Sequence, residues 1–240
     1  MRIGTWNVNS VKARLPHLLD WLATDPVDVL GIQETKTLDE TFPHDALREA
    51  GWQCVHNGQK TYNGVAIVSR LPIENVSFDI GGFEDTQKRV MAATVGGVRV
   101  VCAYVVNGQS VGSEKYEYKL RWLRAFRDHV EGELIDHREV AVVGDFNIAP
   151  APEDTHDPAV WEGHILCSEP ERAGLRALLD LGLTDCLAAQ PPSGTRFTWW
   201  DYRQGAFRRN MGLRIDHVLA SAPLAARLAE CTIHLGPRKL

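Results

Sequence analysis

Four stretches of this 240-residue chain set a carboxylate or a carboxamide at or beside the end of a short apolar run. Asp145 and Asn147 follow Val140-Ala141-Val142-Val143-Gly144, Glu34 follows Val29-Leu30-Gly31-Ile32-Gln33, Asn7 ends Arg2-Ile3-Gly4-Thr5-Trp6, and Asp216 lies inside Leu213 to Leu219. Each apolar run reads as a strand. Asp145 and Asn147 are two apart, so on an extended chain they share one side while Phe146 and Ile148 take the other. On that segment alone a plain turn fits equally well, because Asp and Asn favour turns. If the four ends meet, two or three carboxylates and two carboxamides converge in a hard, oxygen-rich site. Such a site suits Mg²⁺, with Mn²⁺ as a substitute, rather than zinc, for which neither cysteine spacing nor a paired-histidine motif is present. A metal there would polarise a phosphoryl oxygen and offset charge on the departing one, which is phosphodiester chemistry.

The elements that must position these groups follow from periodicity. A first strand spans Arg2 to Val8, and a helix from Lys12 to Ala23 carries Leu15, Leu18, Leu19 and Leu22 at helical spacing, with Pro16 tolerable only near its first turn. A strand from Val27 to Glu34 and a short helix from His44 to Ala50 come next. Trp52 to His56 and Gly64 to Ser69 form a hairpin around a polar loop; Val90 to Val95 and Val98 to Val105 form another across Gly96-Gly97, its far end carrying Tyr104 and Asn107. Ser113 to Leu134 is the longest helix, its charges read as a solvated face. Pro150 closes the strand from Val140. Residues 151–167 make a loop long enough to carry function. Ser168-Glu169-Pro170-Glu171 is a capping box that opens a helix through Leu181. Strands over Arg196 to Tyr202 and Leu213 to Leu219 and a short helix from Ala222 to Ala229 complete the chain. The fold class expected is α+β: two sheets packed face to face with helices outside, in a single domain over 1–240.

Composition is that of a folded soluble protein, 44% hydrophobic and 24% charged. Apolar runs are far too short for a membrane span, and the strand-like start leaves no room for a signal peptide, so a cytoplasmic monomer is expected. Five scattered cysteines without a C-x-x-C pair read as free thiols. The net charge of -5 does not advertise nucleic-acid binding, yet carboxylates gathered at a metal site leave room for local basic segments.

Six segments in register carry a resemblance: Trp6-Asn7-Val8-Asn9, Ile32-Gln33-Glu34-Thr35-Lys36, Gly58-Gln59-Lys60 with Asn63-Gly64-Val65-Ala66-Ile67, Gly144-Asp145-Phe146-Asn147-Ile148-Ala149-Pro150, Phe197-Thr198-Trp199-Trp200-Asp201-Tyr202-Arg203, and Gly212-Leu213-Arg214-Ile215-Asp216. Together they resemble the exonuclease III family of abasic-site endonucleases, in its bacterial branch. The resemblance implies a four-layered α/β sandwich of the deoxyribonuclease type with two mixed sheets. It implies a Mg²⁺-dependent DNA-repair phosphodiesterase that trims 3' ends, cleaves 5' to abasic sites in double-stranded DNA, removes 3' phosphates, or combines these. Glu34 would be the principal metal ligand, helped by Asn7. Asp145 would activate water or hold metal, Asn147 would donate to phosphoryl oxygens, Tyr104 would lie near the scissile phosphate, and Asp216 would orient a histidine. That histidine belongs to a Ser-Asp-His segment absent from residues 1–240, so a chain continuing past Leu240 is expected. His217 is a poor substitute, because a strand neighbour of Asp216 points to the opposite face.

Substrate contacts are expected from the polar loop residues Gln59, Lys60 and Asn63 and from Arg203, Arg208, Arg209 and Arg214, which could meet phosphates. Trp199, Leu213 and Ile215 fall where the family builds an apolar pocket for a flipped base-less sugar. Core packing explains Leu213 and Ile215 equally well, and a solvated charge run explains Arg208 and Arg209. Two other readings stay open at this level: the same fold acting on a lipid or inositol phosphate, and a DNA-binding relative without catalysis.

Overall fold

The computed structural model describes residues 1–24, 27–191 and 196–239. Sheet one contains β1 (Ile3–Asn7), β2 (Val29–Gln33), β3 (Gln53–Asn57) and β4 (Val65–Ser69), in the order β1-β2-β4-β3. β1 and β2 run parallel; β4 is antiparallel to both β2 and β3. Sheet two contains β5 (Ile73–Phe78), β6 (Val90–Val95), β7 (Val98–Tyr104), β8 (Val140–Asp145) and β9 (Leu183–Asp185), and the chain later adds the two-residue ribbon β10 (Trp199–Trp200) and β11 (Gly212–Leu213) before β12 (Asp216–Ser221) returns to it. Its order is β5-β6-β7-β8-β12-β9, parallel only between β7 and β8. A parallel neighbour needs a crossover, and the helix α3 (Glu114–Asp136) supplies it.

Alternation along the strands of the two sheets divides most apolar side chains among three cores, and a fourth, smaller cluster gathers Ala149, Leu166, Cys167, Leu213 and Ile215. Val29, Ile67, Cys102, Ala141 and Val143 fill the space between the sheets. Leu30, Ile32 and Val68 face the helix α1 (Val11–Thr24), which contributes Leu18 and Leu22, and the helix α2 (His44–Glu49), which contributes Leu47. On the far side, Val140, Val142 and Leu219 meet Trp122, Phe126 and Val130 of α3; the helix α5 (Glu169–Leu179) adds Leu175 and Leu178. Four layers result, helix, sheet, sheet and helix, as the resemblance implied. Two short helices, α4 (Pro158–Trp161) and α6 (Ala222–Ala225), lie in the connections. Among the described residues no helix is long and apolar enough to cross a membrane.

Several expectations need correction. β5 carried no clear period-2 signal, because half of it is exposed at the sheet edge. The strand expected over Leu213 to Leu219 breaks at Arg214 and Ile215 into β11 and β12, since the Arg214 amide donates to Asp154 O at 2.8 Å instead of to a ladder. The aromatic strand shrinks to Trp199–Trp200. Pro16 sits in the second turn of α1, beyond the position where its missing N–H costs nothing. The charges of α3 are not all solvated either: Lys119 and Glu133 point inward and are buried.

The two sheets approach closely at Gly31 of β2, where an added Cβ would stand 2.7 Å from Val143 Cγ2 and 3.1 Å from Cys102 Sγ. Gly31→Ala is therefore expected to cost about 1–3 kcal/mol through overpacking. The measurement is a urea titration: the midpoint should fall at an unchanged m value, and an unmoved midpoint would mean that the sheets part without penalty.

Candidate active site

Ala141, Val143 and Asp145 occupy the same face of β8, the face between the sheets. Asp145 is thus the last member of an apolar row, and it emerges where that row ends. Register sets its neighbours: Tyr104 of β7 and Asp216 of β12 both pair with Asp145, so three strands present three functional groups side by side. Gly144 permits the closest part of this pairing, because a Cβ there would come 1.9 Å from Ala103 O.

Sheet one brings the other half. Asn7, last in β1, donates from Nδ2 to Glu34 Oε1 at 2.8 Å and to Asp145 Oδ2 at 2.8 Å, so one carboxamide bridges carboxylates from both sheets. Its Oδ1 accepts from the Asn9 amide at 3.0 Å. Asn7 therefore ties both carboxylates together, and its Oδ1 keeps a second lone pair. Glu34 leaves β2 in the left-handed region at φ 54° and meets Lys36 Nζ at 2.7 Å. The strand ends at Asp145, and Asn147 reaches it by turning: with φ 52°, its amide donates to Asp145 Oδ1 at 2.9 Å. Turn and site are the same feature. The Asn147 side chain is held by Val105 O at 3.0 Å and by Asn107 Nδ2 at 3.1 Å.

Burial first, then the negative charges of Asp216 and Glu34, push the Asp145 carboxyl well above the usual carboxylate range, against the pull of Asn7 and the Asn147 amide. The Tyr104 hydroxyl is likewise pushed up, by burial and then by Glu34 and Asp145; the Arg89 guanidinium, 4.7 Å from the centre of its ring, works the other way. Asn7, Glu34, Asp145, Trp199 and Asp216 line one open cavity of about 1450 Å³. An all-oxygen donor set with mutually repelling carboxylates fits a hard divalent cation. Among the described residues no three carboxylates, imidazoles or thiols form a ready-made cage.

The expected substrate residues divide. Lys36 N donates to Asn63 O at 2.9 Å and Thr35 N to Gly64 O at 3.1 Å, which stitches the polar loop beside Glu34. Within it Asn63 is buried and donates to Gln59 Oε1 at 2.9 Å, an oxygen that also accepts from the Lys88 amide, whereas Lys60 is exposed. Trp199 lines the cavity, but Leu213 and Ile215 are buried with Ala149, Leu166 and Cys167. Arg203 is exposed.

Arg214 does not face phosphates. Its side chain is 2% exposed, with Nε and Nη2 donating to Asp154 at 2.8 and 3.2 Å and Nη1 to Asp185 Oδ2 at 2.6 Å, so it clamps the 151–167 loop onto β9. Arg89, Lys36 and Lys119 escaped the sequence reading; each is an ordinary cation in sequence, and only the fold sets it against Tyr104, Glu34 or Asn147.

His217 turns away from the cavity row, as alternation requires. Arg214 can only donate, so His217 Nδ1, 3.3 Å from Nη1, accepts, and Nε2 donates to Ile148 O at 2.9 Å. Burial first, then Arg214, lower its pKa from 6.5 to about 4. Protons thus bind the unfolded chain more readily between those values, and stability falls as pH drops from about 6.5 towards 4, by about 3 kcal/mol for this group. His217→Gln keeps one donor and one acceptor. Chemical denaturation at pH 7 and pH 4.5 should show a smaller acid loss in the variant than in the wild type; equal losses would show that His217 does not contribute.

The chain matches the Endonuclease/Exonuclease/phosphatase family over residues 4–238. It is 32% identical to exodeoxyribonuclease III of Haemophilus influenzae, an alignment covering 100% of this chain and 95% of that protein. A 3'-5' exonuclease of Neisseria meningitidis, NExo, superposes with a TM-score of 0.98 at 48% identity, covering 100% of this chain and 94% of the other. A Neisseria NExo structure described as a 3' phosphatase, bound to product DNA hairpin, gives the same values. An AP endonuclease from Archaeoglobus fulgidus gives 0.96 at 35% identity, with coverage of 100% and 94%. With its carboxylates, amides and tyrosine gathered at one end of a four-layered sandwich, this chain belongs to the exonuclease III and abasic-site endonuclease branch of that family, a hydrolytic nuclease.

Proposed function

We propose that this chain is a Mg²⁺-dependent DNA-repair nuclease that hydrolyses phosphodiesters at 3' ends and 5' to abasic sites in duplex DNA, and removes 3' phosphates. The observation that carries the reading is the Asn7 amide bridging Glu34 and Asp145 across two sheets, beside Asp216 and Tyr104. Activity at 3' ends leads, because the 48% identical relative is described as a 3'-5' exonuclease and a 3' phosphatase. Five free cysteines suit action in the reducing cytoplasm.

Glu34 and Asp145 would hold the cation, which when bound supplies charge compensation at a phosphoryl oxygen. Asn7 keeps the two carboxylates at a fixed separation. Asp145 takes the proton of the attacking water, a role that suits a carboxylate fixed in place by the Asn7 carboxamide and the Asn147 amide. Asn147 and Tyr104 orient the phosphate, Asn147 through its amide and Tyr104 through a hydroxyl kept neutral by its surroundings. Lys60 and Arg203 stand exposed where a backbone phosphate would approach, and Trp199 offers the cavity wall to a sugar without its base.

The test uses the full-length protein on three substrates: a recessed 3' end, a 3'-phosphate duplex and an internal abasic duplex. Chelation should abolish turnover and Mg²⁺ should restore it. Asp145→Ala should lower kcat about a thousandfold or more, the scale of losing a proton acceptor together with a metal ligand. Turnover that persists in chelator, or in Asp145→Ala, would overturn the assignment.

A further inference from the structure

We propose that Lys119, on the buried side of α3, is a positioning residue for Asn147; the proposal rests on the phosphate-orienting role given to Asn147 above. The Lys119 side chain is fully buried, and its ammonium has three donors, all of them used: Nζ bonds Asn147 O at 2.7 Å, Asn107 O at 3.2 Å and Glu171 Oε1. Asn107 and Asn147 are the two residues whose side chains meet, Nδ2 to Oδ1, at 3.1 Å. One nitrogen therefore holds the main chain of both residues in that amide pair.

The remaining partners leave this nitrogen little freedom. Glu171 is also fully buried, and its oxygens accept from Leu166 N at 3.0 Å, Ser168 N at 3.1 Å and Ser168 Oγ at 2.6 Å. Ser168 Oγ in turn meets Tyr116 Oη of α3 at 2.7 Å. The backbone makes room for the lysine stem at Gly108, which has φ 94° and where a Cβ would stand 3.1 Å from Lys119 Cδ and 2.9 Å from Ile165 Cδ1. Stability alone does not explain such a pair, because apolar side chains of similar volume usually stabilise a core as well or better. What an ammonium adds is direction: it fixes two carbonyls, one of them on a residue held in the left-handed region.

Steady-state kinetics on the recessed 3' end with Mg²⁺ test the proposal. Lys119→Met should lower kcat about tenfold while KM changes less than about twofold, the signature of a misplaced group rather than a lost binding contact. In an Asn147→Ala background the same substitution should lower kcat by less than about twofold, because the group it positions is already gone. A folded Lys119→Met enzyme with wild-type kcat, or losses that multiply in the double variant, would overturn the inference. Should Lys119→Met not fold, Lys119→Met/Glu171→Gln removes both charges at similar volume. The inference expects that variant to regain thermal stability but not kcat, and recovery of both together would reduce Lys119 to a structural role. If Asn147→Ala itself keeps full kcat, the assignment of Asn147 fails first, a result distinct from an impaired Asn147→Ala beside an unimpaired Lys119→Met.

Discussion

Everything at this site depends on holding carboxylates together where water is scarce. Glu34, Asp145 and Asp216 repel one another, and Asp145 is withdrawn into the end of the inter-sheet core, where charge is least welcome. At Asp145 neutral donors offset that repulsion: the Asn7 carboxamide serves Glu34 and Asp145, and the Asn147 amide serves Asp145. Lys36 sits on the far oxygen of Glu34. A pocket so arranged stays electron-rich yet ordered.

Much of this was legible in the chain itself. The runs around Val142 and Leu30 suit strands buried on both faces, and strands of that kind lie between other layers, which is consistent with a sandwich of mixed sheets. The polar residues ending those runs marked the site, and the Ser168-Glu171 capping box marked the start of α5. The period-2 rule also placed His217 correctly, away from Asp216.

The remainder was hidden for physical reasons. A buried ion pair has the same letters as a solvated one, so Lys119 in α3 and Arg214 after β11 read as surface charges until their partners Glu171, Asp154 and Asp185 are brought in from distant parts of the chain. Asn147 illustrates a different limit. Alternation places it beside Asp145, which is right, but through an extended backbone, which is not: the left-handed turn brings the main-chain amide as well as the side chain to bear. Leu213 and Ile215 show a third, since a pocket wall and a core wall need the same apolar residues, and in this structure they pack as core.

The span of Asn7 across the sheets has a consequence for how the enzyme fails. Its bonds to Glu34 and Asp145 tie groups carried by separate sheets, which also share an apolar core and the bonds of Gln33 Nε2 to Cys102 Sγ at 3.2 Å and of Asn57 Nδ2 to Val90 O at 3.1 Å. The site thus acts as a gauge of the gap between the layers. A slip of one layer over the other by a fraction of an ångström disconnects the carboxylates even though every strand and helix survives intact. Such a slip would have to pass the tight seam at Gly31 and Val143, where there is no room for even a methyl group.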